Sequence, residues 1–155
     1  MFKHILFPTD GEAPSIAAMA PCLAFAKDSG ARLTVLHVTA PFHVLSTRPE
    51  MLADTPEEYA VHSSAHARAC LERVAAASRA QGVACETLAM EHEHPYEAII
   101  DAARRHQCDL VAMASHGRSG MQALLLGSET QKVLTHSHLP VLVFRSVAPP
   151  DREAP

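Results

Sequence analysis

The 155-residue sequence contains no tryptophan, and its four cysteines stand apart, with no C-x-x-C pair. Isolated cysteines in apolar or helical surroundings are typical of buried free thiols, not of disulfide frameworks or redox pairs. No apolar run approaches the ~20 residues that a membrane-spanning helix needs. Pro8 and Asp10 interrupt the N-terminal segment too early for a secretory signal. We therefore expect a cytoplasmic protein without membrane contact.

The sequence also lacks a strong charge of either sign. Its formal net charge is -4, from 13 basic and 17 acidic residues, and the basic residues are scattered. Nucleic-acid-binding proteins usually concentrate positive charge on one surface, so we expect no nucleic-acid partner. A hydrophobic content of 48% with 19% charged residues is typical of a globular domain with a sizeable core.

Three nucleotide motifs are missing as well. There is no G-x4-G-K-[ST] phosphate loop with its lysine, and no G-x-G-x-x-G follows the first predicted strand, which argues against a dinucleotide dehydrogenase. The segment Thr9 to Ser15 does not contain the S-G-G-x-D-S loop of adenylating pyrophosphatases. No general base or nucleophile is evident, so we identify no catalytic residue.

What the chain does contain is a regular alternation of apolar runs and amphipathic segments. The runs predict strands at residues 4–9, 32–38, 83–90, 109–114 and 140–144. Helices are predicted at residues 14–27, 55–81, 94–106 and 127–136. This alternation predicts an α/β fold: one domain over residues 1–145, with a five-stranded parallel sheet covered by helices on both faces. We expect residues 39–55 to form a mobile excursion and residues 146–155 a flexible tail.

The segment from Ala114 to Thr130 is the most informative, because it places glycines and hydroxyl residues between a strand and a helix. Glycines let the backbone approach an anion, and N–H groups at a helix N-terminus attract it. We therefore expect this segment to bind phosphate. Two alternatives remain: Ser128 and Gln131 form an S-x-x-Q capping box, and Gly117 and Gly120 are ordinary turn glycines.

The carboxyl ends of the strands provide the other half of the predicted site. In open parallel sheets, ligands bind beyond these ends, where the strand order reverses. Asp10, Val38 and Met113 would converge there if the first strand lies beside the fourth. Asp10 has an alternative role, which is to cap the following helix or to stabilise the turn with Gly11.

Four segments together resemble the universal stress protein family over residues 1 to about 145: P-T-D, M-A-S-H-G-R-S-G, L-L-L-G-S-E-T and L-P-V-L-V-F. The resemblance implies an adenine-nucleotide alpha hydrolase-like sheet of order 3-2-1-4-5 and a homodimer formed through the last strand. In one subset of the family, ATP binds through the motif G-x2-G-x9-G-[ST]. Gly117 and the pair Gly127-Ser128 match this motif here, whereas Ala114 stands at the position of its first glycine.

The resemblance also implies the ligand and the residues that bind it. ATP, or else ADP or AMP, is expected with Mg²⁺ or Mn²⁺. Asp10, Val38 and Met113 would contact adenosine, and His116 is placed to contact phosphate and to make binding depend on pH. The implied cofactor-binding residues are Pro8, Thr9, Asp10, Val38, Met113, Ala114, His116, Gly117, Arg118, Gly120, Gly127, Ser128, Glu129 and Thr130.

No protein metal site is expected. The His62–His66 pair lacks the glutamate of the H-E-x-x-H motif, since Ser63 follows His62, and the His92–His94 pair has no evident third ligand. The leading interpretation is a dimeric, ATP-binding stress-response regulator with slow or no ATP hydrolysis and protein partners that the sequence does not identify. The alternative is a family member without nucleotide binding that acts as a dimerisation or protein-interaction module. Ala114 is the residue that favours this alternative.

Overall fold

A computed structural model describes residues 1–42, 55–115 and 126–145. Its strands are β1 (His4–Pro8), β2 (Arg32–Thr39), β3 (Cys85–Glu91), β4 (Leu110–Ala114) and β5 (Val141–Phe144). Its helices are α1 (Ala13–Ser29), α2 (Pro56–Gln81), α3 (Pro95–Arg105) and α4 (Ser128–His136). The strands form one parallel sheet in the order β3-β2-β1-β4-β5, which confirms the predicted fold class and strand order. Most of the expected excursion at residues 39–55, and the whole tail at 146–155, lie outside the described residues.

The core lies on both faces of the sheet. On one face, Ile5 and Phe7 of β1 pack with α1 and α2, for example against Leu23 and Val74. On the other face, Leu6 packs with α3 and α4. A strand that is covered on both sides needs apolar residues at successive positions, which is why β1, β2 and β4 read as nearly continuous apolar runs.

The helix ends follow the local signals in the sequence. Thr55 caps α2 in a full capping box with Glu58, and Pro56 occupies the first helical turn. α1 ends at Gly30, whose left-handed backbone (φ 65°) lets its N–H donate to carbonyl groups of the last turn. β3 begins at Cys85, two residues later than predicted, because the Val83 N–H still donates to the Ser78 carbonyl at the end of α2.

Three of the four cysteines are buried free thiols, as predicted. Burial raises the pKa of Cys22 to about 12 and that of Cys108 to about 11, so both remain protonated at neutral pH. Cys85 departs from the prediction: it is only half-buried because it lies on the edge strand β3. None of the helices in the described ranges is long and apolar enough to cross a membrane.

At the amino end of the sheet, Asp109 fastens the start of β1. Its Oδ2 accepts the N–H of Lys3 at 2.8 Å and its Oδ1 accepts the N–H of His4 at 3.0 Å. The His4 ring is 4% exposed, and its Nε2 lies 2.7 Å from the Thr34 hydroxyl. Burial, with the nearby charge of Arg32, lowers the pKa of His4. Hydrogen bonds and buried side chains therefore hold this end of the sheet together.

Candidate functional site

The strand order reverses between β1 and β4. From β1 the chain adds β2 and β3 on one side of the sheet, and it then adds β4 and β5 on the other. β1 pairs directly with β4, as the predicted convergence of their carboxyl ends requires. We call the space beyond the carboxyl ends of β1 and β4 the C-terminal crevice. Pro8 ends β1 and is half-buried there.

Asp10 lies in the turn that leaves β1, and its two carboxylate oxygens have different environments. Oδ1 accepts the N–H of Glu12 at 2.9 Å and the hydroxyl of Ser15 at 2.8 Å. Oδ2 has no hydrogen-bond partner among the residues that the structure describes. Gly11 gives the turn its positive φ of 78°, which few other residues adopt without strain. Asp10 thus stabilises the turn through one of its two carboxylate oxygens.

The alternative helix-capping role of Asp10 is wrong for α1. The N-cap of this helix is Glu12, and no side chain caps it. The turn is held instead by Ser15, which the sequence analysis did not single out. Ser15 is only 5% exposed, and its hydroxyl oxygen accepts the hydroxyl hydrogen of Thr9 at 2.9 Å. The sequence could have indicated this role for Ser15, because it follows Asp10 by five residues and lies in the first turn of α1.

His66 of α2 contacts the same turn from its other side. Its Nε2 lies 3.0 Å from the Asp10 carbonyl oxygen, which can only accept, so Nε2 is the donor. Behind the turn, a cavity of about 90 Å³ is lined by residues of α1 and α2, including Met19 and Cys70. Burial raises the pKa of the Cys70 thiol, which is therefore neutral at physiological pH.

The apolar candidates divide between the two faces of the sheet. Val38 and Met113 belong to the cluster on the α3 and α4 side. Ala114 belongs to the opposite cluster, with residues of α1. Successive strand residues point to opposite faces, so the methyl group of Ala114 is in the core on the side away from Met113.

The N-terminus of α4 is docked onto the end of β4. Gly127 is the N-cap, and its N–H donates to the Ser115 carbonyl at 2.7 Å. The first helical hydrogen bond runs from Gln131 N–H to the Gly127 carbonyl at 3.0 Å. The N–H groups of residues 128 to 130 precede it and therefore have no partner within the helix. Anions are attracted to such groups.

The capping-box alternative for Ser128 is wrong. Ser128 is exposed and is already the first helical residue, so it cannot be the N-cap. The Gln131 side chain donates to the Leu126 carbonyl at 2.8 Å instead of returning to Ser128. Gly127 is the N-cap because its carbonyl, not that of Ser128, accepts the first helical hydrogen bond.

Thr130 and Glu129 hold α4 in place. Thr130 is 3% exposed, and its hydroxyl donates to the Ala114 carbonyl at 3.0 Å. The Glu129 carboxylate accepts the N–H of Tyr96 at 2.9 Å and the ammonium of Lys132 at 3.0 Å. The Thr130 hydroxyl hydrogen is thus already committed, so the backbone N–H groups of α4 are the donors that remain for an anion.

Four of the predicted site residues lie outside the described residues: His116, Gly117, Arg118 and Gly120.

Within residues 1–42, 55–115 and 126–145, no three His, Cys, Asp or Glu side chains are grouped as a metal ion would require. In the predicted H-x-H pair, His92 uses Nδ1 to accept the N–H of His94 at 2.9 Å, and its Nε2 lies 3.8 Å from Glu97.

A profile of the universal stress protein family matches residues 1–145. The chain belongs to the universal stress protein family. A member from Thermus aquaticus is 36% identical over 146 residues, which cover 94% of this chain and 100% of the relative. The family therefore accounts for the fold and for nearly the whole length of the chain.

Solved structures of the family share this fold. Protein MJ0577 of Methanocaldococcus jannaschii has a TM-score of 0.79 at 26% identity, with 96% of this chain and 99% of that chain covered. A universal stress protein in complex with cAMP has a TM-score of 0.67 at 21% identity, with coverage of 93% and 97%. The Archaeoglobus fulgidus protein in complex with dAMP has a TM-score of 0.65 at 15% identity, with coverage of 91% and 96%. This chain has the adenine-nucleotide alpha hydrolase-like fold, with a five-stranded parallel sheet of order 3-2-1-4-5.

Proposed function

We propose that this protein binds an adenine nucleotide, foremost ATP, in the C-terminal crevice. The half-satisfied Asp10 carboxylate is the observation that carries the proposal. Oδ1 is engaged by Glu12 and Ser15, whereas Oδ2 keeps its acceptor capacity. A carboxylate oxygen can only accept hydrogen bonds, and a nucleoside offers donors in its ribose hydroxyls and in the adenine amino group. Phosphate and the other anions that favour helix N-termini would be repelled at this point.

The phosphates would lie toward α4. The N–H groups of residues 128 to 130 supply donors and a favourable helix dipole. Gly117, Gly127 and Ser128 retain three of the four residues that the motif of the ATP-binding subset specifies. Mg²⁺ or Mn²⁺ would arrive with the nucleotide and be held largely by phosphate oxygens and water, since Mg²⁺ seldom needs an all-protein cage.

Family members that were solved with cAMP and dAMP support an adenine nucleotide as the ligand class. We infer a regulatory role in the cytoplasmic stress response, with ATP hydrolysis slow or absent, because no general base or nucleophile is evident. The ligand would then act by changing the protein's interactions, not by turning over rapidly.

We also propose a homodimer formed through β5. This strand lies at the edge of the sheet and pairs only with β4 among the described residues. All four of its side chains, V-L-V-F, are apolar and half-exposed. Unprotected apolar edges favour pairing with another chain, whereas the opposite edge strand, β3, carries Glu86 and Glu91.

The test is to measure the nucleotide content of freshly purified protein after denaturation, filtration and anion-exchange chromatography. Near-stoichiometric ATP or ADP is expected. Calorimetry with added Mg-ATP would check protein that has lost its ligand during purification. An empty protein that also fails to bind Mg-ATP would overturn the proposal. It would favour the second candidate, a protein-interaction module without nucleotide, which is the reading that Ala114 at the first motif position supports.

A further inference from the structure

The Asp10 turn is held by two helices at once, and neither contact belongs to the proposed nucleotide contacts themselves. We propose that Ser15 of α1 and His66 of α2 are positioning residues that keep Oδ2 of Asp10 directed toward the nucleoside. This inference rests on the proposed nucleotide function. The two residues act on different parts of Asp10: Ser15 on its carboxylate and His66 on its backbone.

Ser15 fixes the rotation of the carboxylate. Thr9 donates its hydroxyl hydrogen to the Ser15 oxygen, so the Ser15 hydrogen is directed away from Thr9. Its acceptors are Oδ1 of Asp10, at 2.8 Å, and the Glu12 carbonyl, which is more distant at 3.1 Å. Oδ1 then accepts two donors, the Ser15 hydroxyl and the Glu12 N–H. Rotating the carboxylate part of the way would break both bonds at a partly buried group, whereas a half-turn only exchanges its two equivalent oxygens. One carboxylate oxygen is therefore always held by Glu12 and Ser15, and the other remains for the ligand.

His66 fixes the backbone of the turn. The donor Nε2 reaches the Asp10 carbonyl, and a Cβ built on Gly11 would lie 3.2 Å from this nitrogen and 3.3 Å from the Cys70 sulfur. The turn is thus pressed against α2. The His66 ring also meets the ring of the buried His37 edge-on, with centroids 5.4 Å apart, which restrains the imidazole. The position of the Asp10 backbone therefore depends on the position of α2.

The experiment uses paired substitutions that remove or keep each donor. Ser15→Ala removes the hydroxyl, whereas Ser15→Thr keeps it and places its extra methyl beside the cavity behind the turn. His66→Leu removes the donor, whereas His66→Gln keeps an N–H at similar reach. Ser29→Ala is the matched control, because the Ser29 hydroxyl donates to the Phe25 and Ala26 carbonyl groups at the far end of α1.

Two quantities are measured on each variant: the Kd for ATP by calorimetry, and the exchange rate of the Glu12 amide hydrogen by NMR in ATP-free protein. We expect Ser15→Ala to weaken ATP binding about tenfold and His66→Leu about threefold, since bonds to charged groups contribute more than neutral ones. Ser15→Thr and His66→Gln should restore most of the affinity. In an Asp10→Ala background, neither loss should appear, because residues that act through Asp10 are coupled to it.

The outcomes separate this inference from the proposed function. Variants that bind ATP as the wild type does and leave Glu12 exchange unchanged would overturn the positioning role. Equal losses in the Asp10→Ala background would also overturn it, since the effect would then bypass Asp10. Faster Glu12 exchange in Ser15→Ala and His66→Leu would support the positioning role even if the wild type bound no nucleotide, in which case only the proposed function would fail.

Discussion

Two aspartates occupy opposite ends of the same sheet, and they differ in how their hydrogen bonds are distributed between the two carboxylate oxygens. Asp109, at the amino end, accepts one backbone N–H with each oxygen. Asp10, at the carboxyl end, accepts two donors with Oδ1 and none with Oδ2 among the described residues. At Asp109 both oxygens hold the backbone, whereas at Asp10 one oxygen holds the turn and the other is available to bind. The same substitution should therefore weaken ligand binding at Asp10 and lower stability at Asp109.

The largest expected effect is that of Asp10→Asn on nucleotide binding. The asparagine carbonyl can still accept from Glu12 and Ser15, so the turn should survive. The amide nitrogen would replace Oδ2, and a donor would then face the ligand's donor. ATP affinity should fall about 100-fold, the loss expected when a charged hydrogen bond becomes an unpaired contact. Calorimetry gives the affinity, and an unchanged Tm serves as the control. A variant with normal affinity would exclude Oδ2 from ligand contact.

Asp109→Asn should act on stability instead. One of the two N–H groups, of Lys3 or of His4, would face the asparagine NH₂, and a charged acceptor would be lost. We expect a loss of about 2 kcal/mol in the free energy of unfolding, with ATP affinity unchanged in the folded protein. Urea denaturation measures the loss. If Asp109→Asn and Asp10→Asn destabilised the protein equally, the contrast between the two carboxylates would be refuted.

The sequence predicted the elements that depend on local signals. The Thr55-Pro56 start of α2 and the Gly30 end of α1 were predicted correctly, because caps are properties of a few adjacent residues. The strand order followed from the family resemblance and was confirmed. The start of β3 was misplaced, since apolar Val83 continues the hydrophobic run but belongs to the turn after α2.

The site was less predictable, because its supports are tertiary. Asp10 could be predicted from its place after β1, but its partner His66 lies 56 residues further along the chain and is brought near by the packing of α2. Likewise, an S-x-x-Q pattern at Ser128 does not reveal that Gly127 is the N-cap. Local motifs indicate which residue types can bind; the tertiary fold decides which of their atoms remain available.

At the amino end of the sheet, the buried His4 should make the stability of the protein depend on pH. Burial lowers the pKa of His4 in the folded state, so below its ordinary value of 6.5 the unfolded chain binds more protons. Stability should therefore fall as the pH drops below about 6.5, by at most about 1.4 kcal/mol per pH unit, until the folded pKa is reached. His4→Gln should flatten this part of the curve. Chemical denaturation between pH 7.5 and 5 measures it, and an unaltered slope would assign the dependence to another histidine.

Asp109 should titrate separately and at lower pH. Burial would raise the pKa of its carboxyl group, but the N–H groups of His4 and Lys3 outweigh burial and lower it below 3.8. The stability that ionised Asp109 contributes is present above this value and is lost as the pH falls through the lowered pKa. The wild type should therefore lose stability in two steps, and Asp109→Asn should remove only the acidic one. Acid titrations of both proteins, followed by circular dichroism, test this; a single shared transition would contradict it.

The smallest effect concerns Ala114, the residue that departs from the ATP-binding motif. Its methyl group packs with the α1-side core, not with Val38 and Met113. Ala114→Gly should therefore cost about 1 kcal/mol of stability, from the lost burial and the greater freedom of glycine, while changing ATP affinity less than about twofold. Denaturation and calorimetry measure the two quantities on the same preparation. A tenfold gain in affinity would mean that the methyl group crowds the ligand, and the carboxyl end of β4 would then be a second determinant of binding beside Asp10.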